Sequence, residues 1–114
     1  MYIELLQEIG LSLNESKIYE ALLKLKESSV QNISNTSKVH RRNVYDSLSK
    51  LIEKGLVSEF FTVGEKRFKL INPNMLLELL KEKEEKLSKI LPKMQEIFQS
   101  SEEKEEAYFY KGIH

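Results

Sequence analysis

The sequence predicts a mainly α chain with one small β-hairpin (an α+β fold) that runs on into a long coiled-coil helix, and three patterns carry that prediction. Apolar residues recur at helical spacing in short stripes up to residue 54. The period then switches to two across "LVSEFFTVGEKRFKLI", with Gly64 in a polar connection, which marks a hairpin. Beyond it, Leu77, Leu80, Leu87, Leu91, Met94 and Phe98 fit a heptad seam. Helix, tight polar turn, helix, glycine and hairpin, all within residues 14–71, follow the order of a winged helix-turn-helix. The boundaries read as 1–72 for that module, 73–100 for a dimerisation helix and 101–114 for an acidic, then aromatic, tail.

In chain order, "YIELLQEIG" is a short amphipathic helix on Leu5, Leu6 and Ile9, ended by Gly10. "LNESKIYEALLKLK" starts a second, with Asn14 as expected N-cap and Leu13 with Ile18 as a hydrophobic staple. Its stripe is Ile18, Leu22 and Leu25, widened by Tyr19 and Leu23. Ser29 caps a short third helix with Val30 and Ile33 inward, interrupted at "NTSKV". A fourth helix from Arg41 turns Val44, Leu48, Leu51 and Ile52 to the core and stops at Gly55. After the hairpin, Pro73 suits the first turn of a long helix from about Asn74 to Phe98. Glu84 breaks the seam of that helix at one expected core position, Leu76, Ile90 and Ile97 widen it, and Pro92 is expected to kink it.

Composition excludes several classes of function. Hydrophobic residues make up 40% and charged residues 32%, a balance that suits one compact domain with a long exposed element. The chain has no cysteine, so disulfides and thiolate metal sites are out, in keeping with a reducing cytoplasm. "MYIELLQEIG" has no basic n-region, and no apolar run approaches the roughly 18 residues of a membrane span, so a cytoplasmic protein is expected. His40 and His114 have no other soft ligand beside them, and no phosphate-cradling loop or nucleophile elbow is present. Neither a cofactor, a metal nor an enzymatic activity is expected.

Eighteen basic and eighteen acidic residues cancel, so any case for nucleic acid must be local. Residues 30–71 hold eight basic and four acidic side chains, a positive middle between two mildly acidic ends. Within it, "HRRN" puts His40, Arg41 and Arg42 in a first helical turn, where the dipole favours anions. A phosphate docked there would supply the missing charge. On the solvent side of the same helix lie Arg42, Asn43, Asp46, Ser49 and Lys50, and Arg and Asn suit purine edges in a major groove. Lys66, Arg67 and Lys69 make a basic hairpin, with Arg67 and Lys69 facing away from the domain. Tyr45 and Tyr19 read as core. A stripe as long as that of the last helix calls for a partner, and a second copy is the expected one.

These stretches resemble a known group. "IGLSLNESKIYEALLKL", "NISNTSKVHRRNVYDSLSKLIEKGLVSEF" and "GEKRFKLINPNMLLELL" are similar to the N-terminal domain of the TrmB family, winged-helix transcriptional regulators found chiefly in archaea. Glu15, Lys17 and Tyr19, then Arg41 with Val44 and Tyr45, then Leu51 with Lys54, Gly55, Leu56 and Val57 carry the likeness. The resemblance implies a dimeric DNA-binding regulator whose recognition helix enters the major groove. His40 stands where such proteins often have proline, and Arg42 and Asn43 where they often have serine and lysine, so no operator sequence carries over. Members commonly continue into a sugar-binding effector domain, and "YFYKGIH" looks like its opening strand; the chain then reads as a single-domain or shortened member, its effector unknown. The expected DNA contacts are Ser29 or Gln31, His40, Arg41, Arg42, Asn43, Ser49 and Lys50, with Lys66, Arg67 and Lys69 from the wing. The alternatives are an adaptor that docks on the transcription machinery and a ligand sensor at the dimer seam.

Overall fold

The computed structural model describes the backbone of residues 1–113 and the side chains of residues 1–100. The elements run α1 (Ile3–Glu8), α2 (Leu13–Leu25), β1 (Glu27–Ser28), α3 (Val30–Ser37), α4 (Arg41–Glu53), β2 (Val57–Thr62), β3 (Glu65–Leu70) and α5 (Met75–Ile113). The chain divides into two compact units, Met1–Leu80 and Lys81–His114. In the first, α2 packs on α1, α3 and α4. The sheet is antiparallel with β3 in the middle, in the order β1-β3-β2. Ile18, Leu22, Ile33, Val44, Leu48, Leu51, Leu56 and Val57 form the centre of the core, with Phe68 of β3 and Leu79 of α5 closing it.

Several local expectations are corrected. The N-cap of α2 is Ser12, not Asn14: Ser12 Oγ accepts from the Glu15 amide at 3.1 Å, and Glu15 Oε1 accepts from the Ser12 amide at 2.8 Å. A capping box needs a hydroxyl three residues before an acid, and only Ser12 with Glu15 has that spacing. Leu13 is thereby left half-exposed and cannot staple to the fully buried Ile18. Helix α3 is not interrupted at Asn35 but continues to Ser37 and ends on Lys38 in the left-handed region. Two hydroxyls satisfy the turn that follows, since Ser34 Oγ donates to the Val39 carbonyl and Ser37 Oγ accepts from the Val39 amide. Of the expected α1 stripe only Leu6 is fully buried; Leu5 faces solvent. The α5 helix runs unbroken past Pro92 and on to Ile113, where a strand was expected in "YFYKGIH". The side chains of the acidic run Glu102–Glu106, and His114 as a whole, lie outside the described residues.

The exit from α4 is built on Gly55. Its φ of 77° lets the Gly55 amide reach the Ile52 carbonyl and the Leu56 amide reach the Leu51 carbonyl, closing the helix with a Schellman motif. Leu56 and Val57 are thus delivered straight into the core at the root of the wing.

Candidate nucleic-acid interface

Helix α4 has a buried side and a bare one. Val44, Ser47, Leu48 and Leu51 are buried, which turns Arg41, Arg42, Asn43, Tyr45, Asp46, Ser49 and Lys50 to solvent. Tyr45, expected in the core, is 49% exposed, because it falls between the two buried turns rather than on them. Its hydroxyl accepts from Arg41 Nη2 at 3.5 Å, while Arg41 Nη1 donates to Gln31 Oε1 at 3.3 Å. Gln31 in turn donates to Asn35 Oδ1 at 3.1 Å. A polar chain from α3 to α4 therefore fixes the Arg41 guanidinium, bringing together two residues that the sequence singled out separately.

His40 corrects the puzzle of the crowded first turn. It is the N-cap of α4, and its Nδ1 accepts from the Arg42 amide at 3.1 Å. In that role the ring nitrogen satisfies one of the helix's orphan donors. Arg42 and Asn43 are exposed and make no side-chain hydrogen bond or ion pair among the described residues. Lys50 reaches Asp46 one turn back at 3.4 Å, an exposed pair of small energy that water or a phosphate can replace. Ser29 caps α3 by accepting from the Asn32 amide at 3.4 Å.

In the wing, register puts Glu59, Phe61, Lys66 and Phe68 on one face and Phe60, Arg67 and Lys69 on the other. Lys66 meets Glu59 at 3.6 Å and lies 5.8 Å from the Phe61 ring centroid. Arg67 meets Glu65 at 3.1 Å, and its Nη2 donates to the Glu27 carbonyl of β1 at 3.4 Å. Lys69 lies 5.3 Å from the Phe60 ring. Only Lys69 of the three cations has no acid partner among the described residues.

What positions α4 was not read from the sequence. Lys54, just past its last turn, donates to Glu15 Oε2 at 2.6 Å and to the Gly10 carbonyl at 3.4 Å. The Glu15 side chain is only 3% exposed. Burial alone would raise its pKa, but hydrogen bonds from Lys54 and Ser12 outweigh that and hold the carboxyl below its ordinary value. One carboxylate thus caps α2 and anchors the C-terminal end of α4. The signal available was an acid and a lysine 39 residues apart, a spacing that no local rule connects. The described part of α5 bears its apolar stripe outward: Leu77, Leu80, Leu87, Leu91, Met94 and Phe98 are 38 to 61% exposed. No helix among the described residues is long and apolar enough to cross a membrane, and no group of acids or histidines there could hold a metal ion.

Known proteins resemble this chain in sequence and in fold. The family profile described as "Sugar-specific transcriptional regulator TrmB" matches residues 6–74. The "HTH-type sugar sensing transcriptional regulator TrmBL1" of Pyrococcus furiosus is 36% identical over 78 residues, covering 68% of this chain and 22% of the relative. The chain thus spans about a fifth of the length of that curated relative. Among solved structures, TrmBL2, described as an archaeal chromatin protein with a novel mode of DNA binding, superposes with a TM-score of 0.68 at 24% identity. The match covers 95% of this chain and 40% of TrmBL2. A possible transcriptional regulator from Methanosarcina mazei Go1 gives a TM-score of 0.63 at 16% identity, over 77% of this chain and 79% of its own. The structural likenesses establish a winged-helix fold.

Proposed function

Because the chain belongs to the TrmB family of transcriptional regulators, we propose that it binds duplex DNA with sequence preference, as a homodimer, through the bare face of α4. The observation that carries this reading is the start of α4, where the side chains of Arg42 and Asn43 face water with no hydrogen bond or ion pair among the described residues and Arg41 is held ready by Gln31. Arg and Asn form bidentate pairs with guanine and adenine edges in the major groove, the contacts that discriminate base pairs. His40 Nε2, Ser29, Gln31, Ser49 and Lys50 flank them as phosphate contacts, and Lys66, Arg67 and Lys69 of the wing lie along the backbone or minor groove. Asp46 repels phosphate, and its pairing with Lys50 softens that repulsion.

The exposed stripe on α5 supports the second copy. Six large apolar side chains at heptad spacing are costly in water, and an identical helix covers them with the same pattern. A two-fold dimer then presents two copies of α4 to half-sites about 34 Å apart. Two measurements test the reading: selection of bound duplexes from a random pool, and sedimentation of the protein alone. Recovery of a palindromic motif and a dimer mass are expected. Weak binding without sequence preference at every salt concentration would instead favour a protein-docking adaptor, and a monomer mass would remove the dimer.

A further inference from the structure

The tip of the wing departs from what its turn asks for. Val63 and Gly64 join β2 to β3 with φ of 50° and 71°, both left-handed, as a two-residue mirror-image turn requires. Asn or Asp suits the first of these positions, whereas a β-branched side chain at positive φ is strained. Val63 is there nonetheless, and it is wholly exposed. Phe61, two residues earlier, is 72% exposed, and neither belongs to the core. The cations beside them are less available than their number implies, since Glu59 and Glu65 already answer Lys66 and Arg67. What the tip offers a partner is apolar surface, with the Lys66 ammonium group beside Phe61 and paired to Glu59.

We propose that Phe61 and Val63 form an apolar wedge that enters the minor groove of duplex DNA and opens a base step. This rests on the DNA-binding reading above and specifies what the wing does within it. A tip that served only to neutralise phosphates would gain nothing from a strained valine and a bare phenylalanine. Apolar side chains inserted between base pairs leave water and take the place of the lost stacking partner. A minor groove about 6 Å wide is too narrow for a whole β-ribbon, so only the side chains at the two-residue turn and beside it need enter. Lys66 sits over the Phe61 ring, so ring insertion brings its charge to the flanking phosphates. Pyrimidine–purine steps unstack most readily, so the wedge adds sequence preference without a base-edge hydrogen bond.

The test uses the full chain, duplexes from the selection above carrying 2-aminopurine at successive positions, and the variants Phe61→Ala and Val63→Asn. The wild type is expected to raise the fluorescence at one step of each half-site. Phe61→Ala is expected to abolish that rise and weaken binding about tenfold, the scale of one lost stacking contact, with the salt slope unchanged. Val63→Asn relieves the turn, so it should melt no lower than the wild type yet lose the fluorescence rise. Wild-type binding without unstacking, or variants that bind and unstack like the wild type, would overturn the wedge and leave the α4 interface standing. Variants that lose self-association but bind DNA normally would assign the tip to a second copy of the chain and equally overturn it. A wild type that binds no duplex removes both readings together.

Discussion

The two ends of α4 are held in opposite ways. At the C-terminal end, Lys54 is tied to a buried carboxylate on α2, and Gly55 folds the chain back through a Schellman motif. At the N-terminal end, Arg41, Arg42 and Asn43 stand in water, with His40 closing the helix through a ring nitrogen. The buried ion pair sits at the C-terminal end, and the exposed Arg42 and Asn43 side chains of the proposed interface make no hydrogen bond or ion pair among the described residues. If the proposed interface is right, stability and binding are separable along one helix of 13 residues.

That separation can be broken most forcefully at Glu15. Replacing it with Ala removes the capping box and leaves Lys54 facing a buried void, and denaturant unfolding should show a loss of about 3 kcal/mol. The folded fraction should still bind DNA with an unaltered salt slope. The same carboxyl sets a pH dependence. Because its pKa is lowered in the folded state, its contribution is complete above the ordinary value of 4.5 and fades as the pH falls through the lower folded-state value. Stability curves measured in acid should accordingly fall less steeply for Glu15→Ala than for the wild type.

The opposite end supplies the next test. Arg41→Ala combined with Arg42→Ala should weaken operator binding about a hundredfold and relax its sequence preference, with the melting temperature changed by no more than a few degrees. Fluorescence anisotropy on operator and altered duplexes measures affinity and preference; an unmoved affinity would remove α4 as the reading element. A smaller effect is expected at Tyr19, whose buried hydroxyl has no hydrogen-bond partner among the described residues and whose pKa burial pushes up. Tyr19→Phe should raise stability by about 1 kcal/mol and leave binding alone. Smallest is Glu59→Gln, which releases Lys66 from its acid. Affinity should rise about threefold at low salt and return to the wild-type level at high salt.

How much of this was legible follows the range of each interaction. The core faces of α2 and α4 and the period-two hairpin were readable, because periodicity is local and Ile18, Leu22, Val44, Leu48 and Leu51 repeat cleanly. Strand β1 was not, since Glu27 and Ser28 are too short to show a period and pair only with Lys69 and Phe68, 42 and 40 positions away. Ser12 lost to Asn14 because both are good caps, and only the bond to Glu15 decides between them. Tyr45 was misjudged because an aromatic beside a core residue looks buried until the turn of the helix is fixed by its neighbours. In the candidate interface, the outward face of α4 followed from the same periodicity. The acids that occupy Lys66 and Arg67 across the hairpin did not, because they depend on register.

Strand β1 carries a mechanical meaning as well. Its two residues bond to β3 at Lys69 and Phe68, Arg67 reaches its carbonyl at Glu27, and Ser29, the very next residue, caps α3. The wing is thus bolted to the start of α3, and Gly55 and Leu56 bolt its other root to the end of α4. A hairpin hung from one strand would swing as a flap and lose that freedom on docking. This one is strutted on both sides, so its base turns with the helices as a single lever. Hydrogen exchange should then find the Phe68 amide protected together with the α4 core, and the Val63 tip exchanging freely.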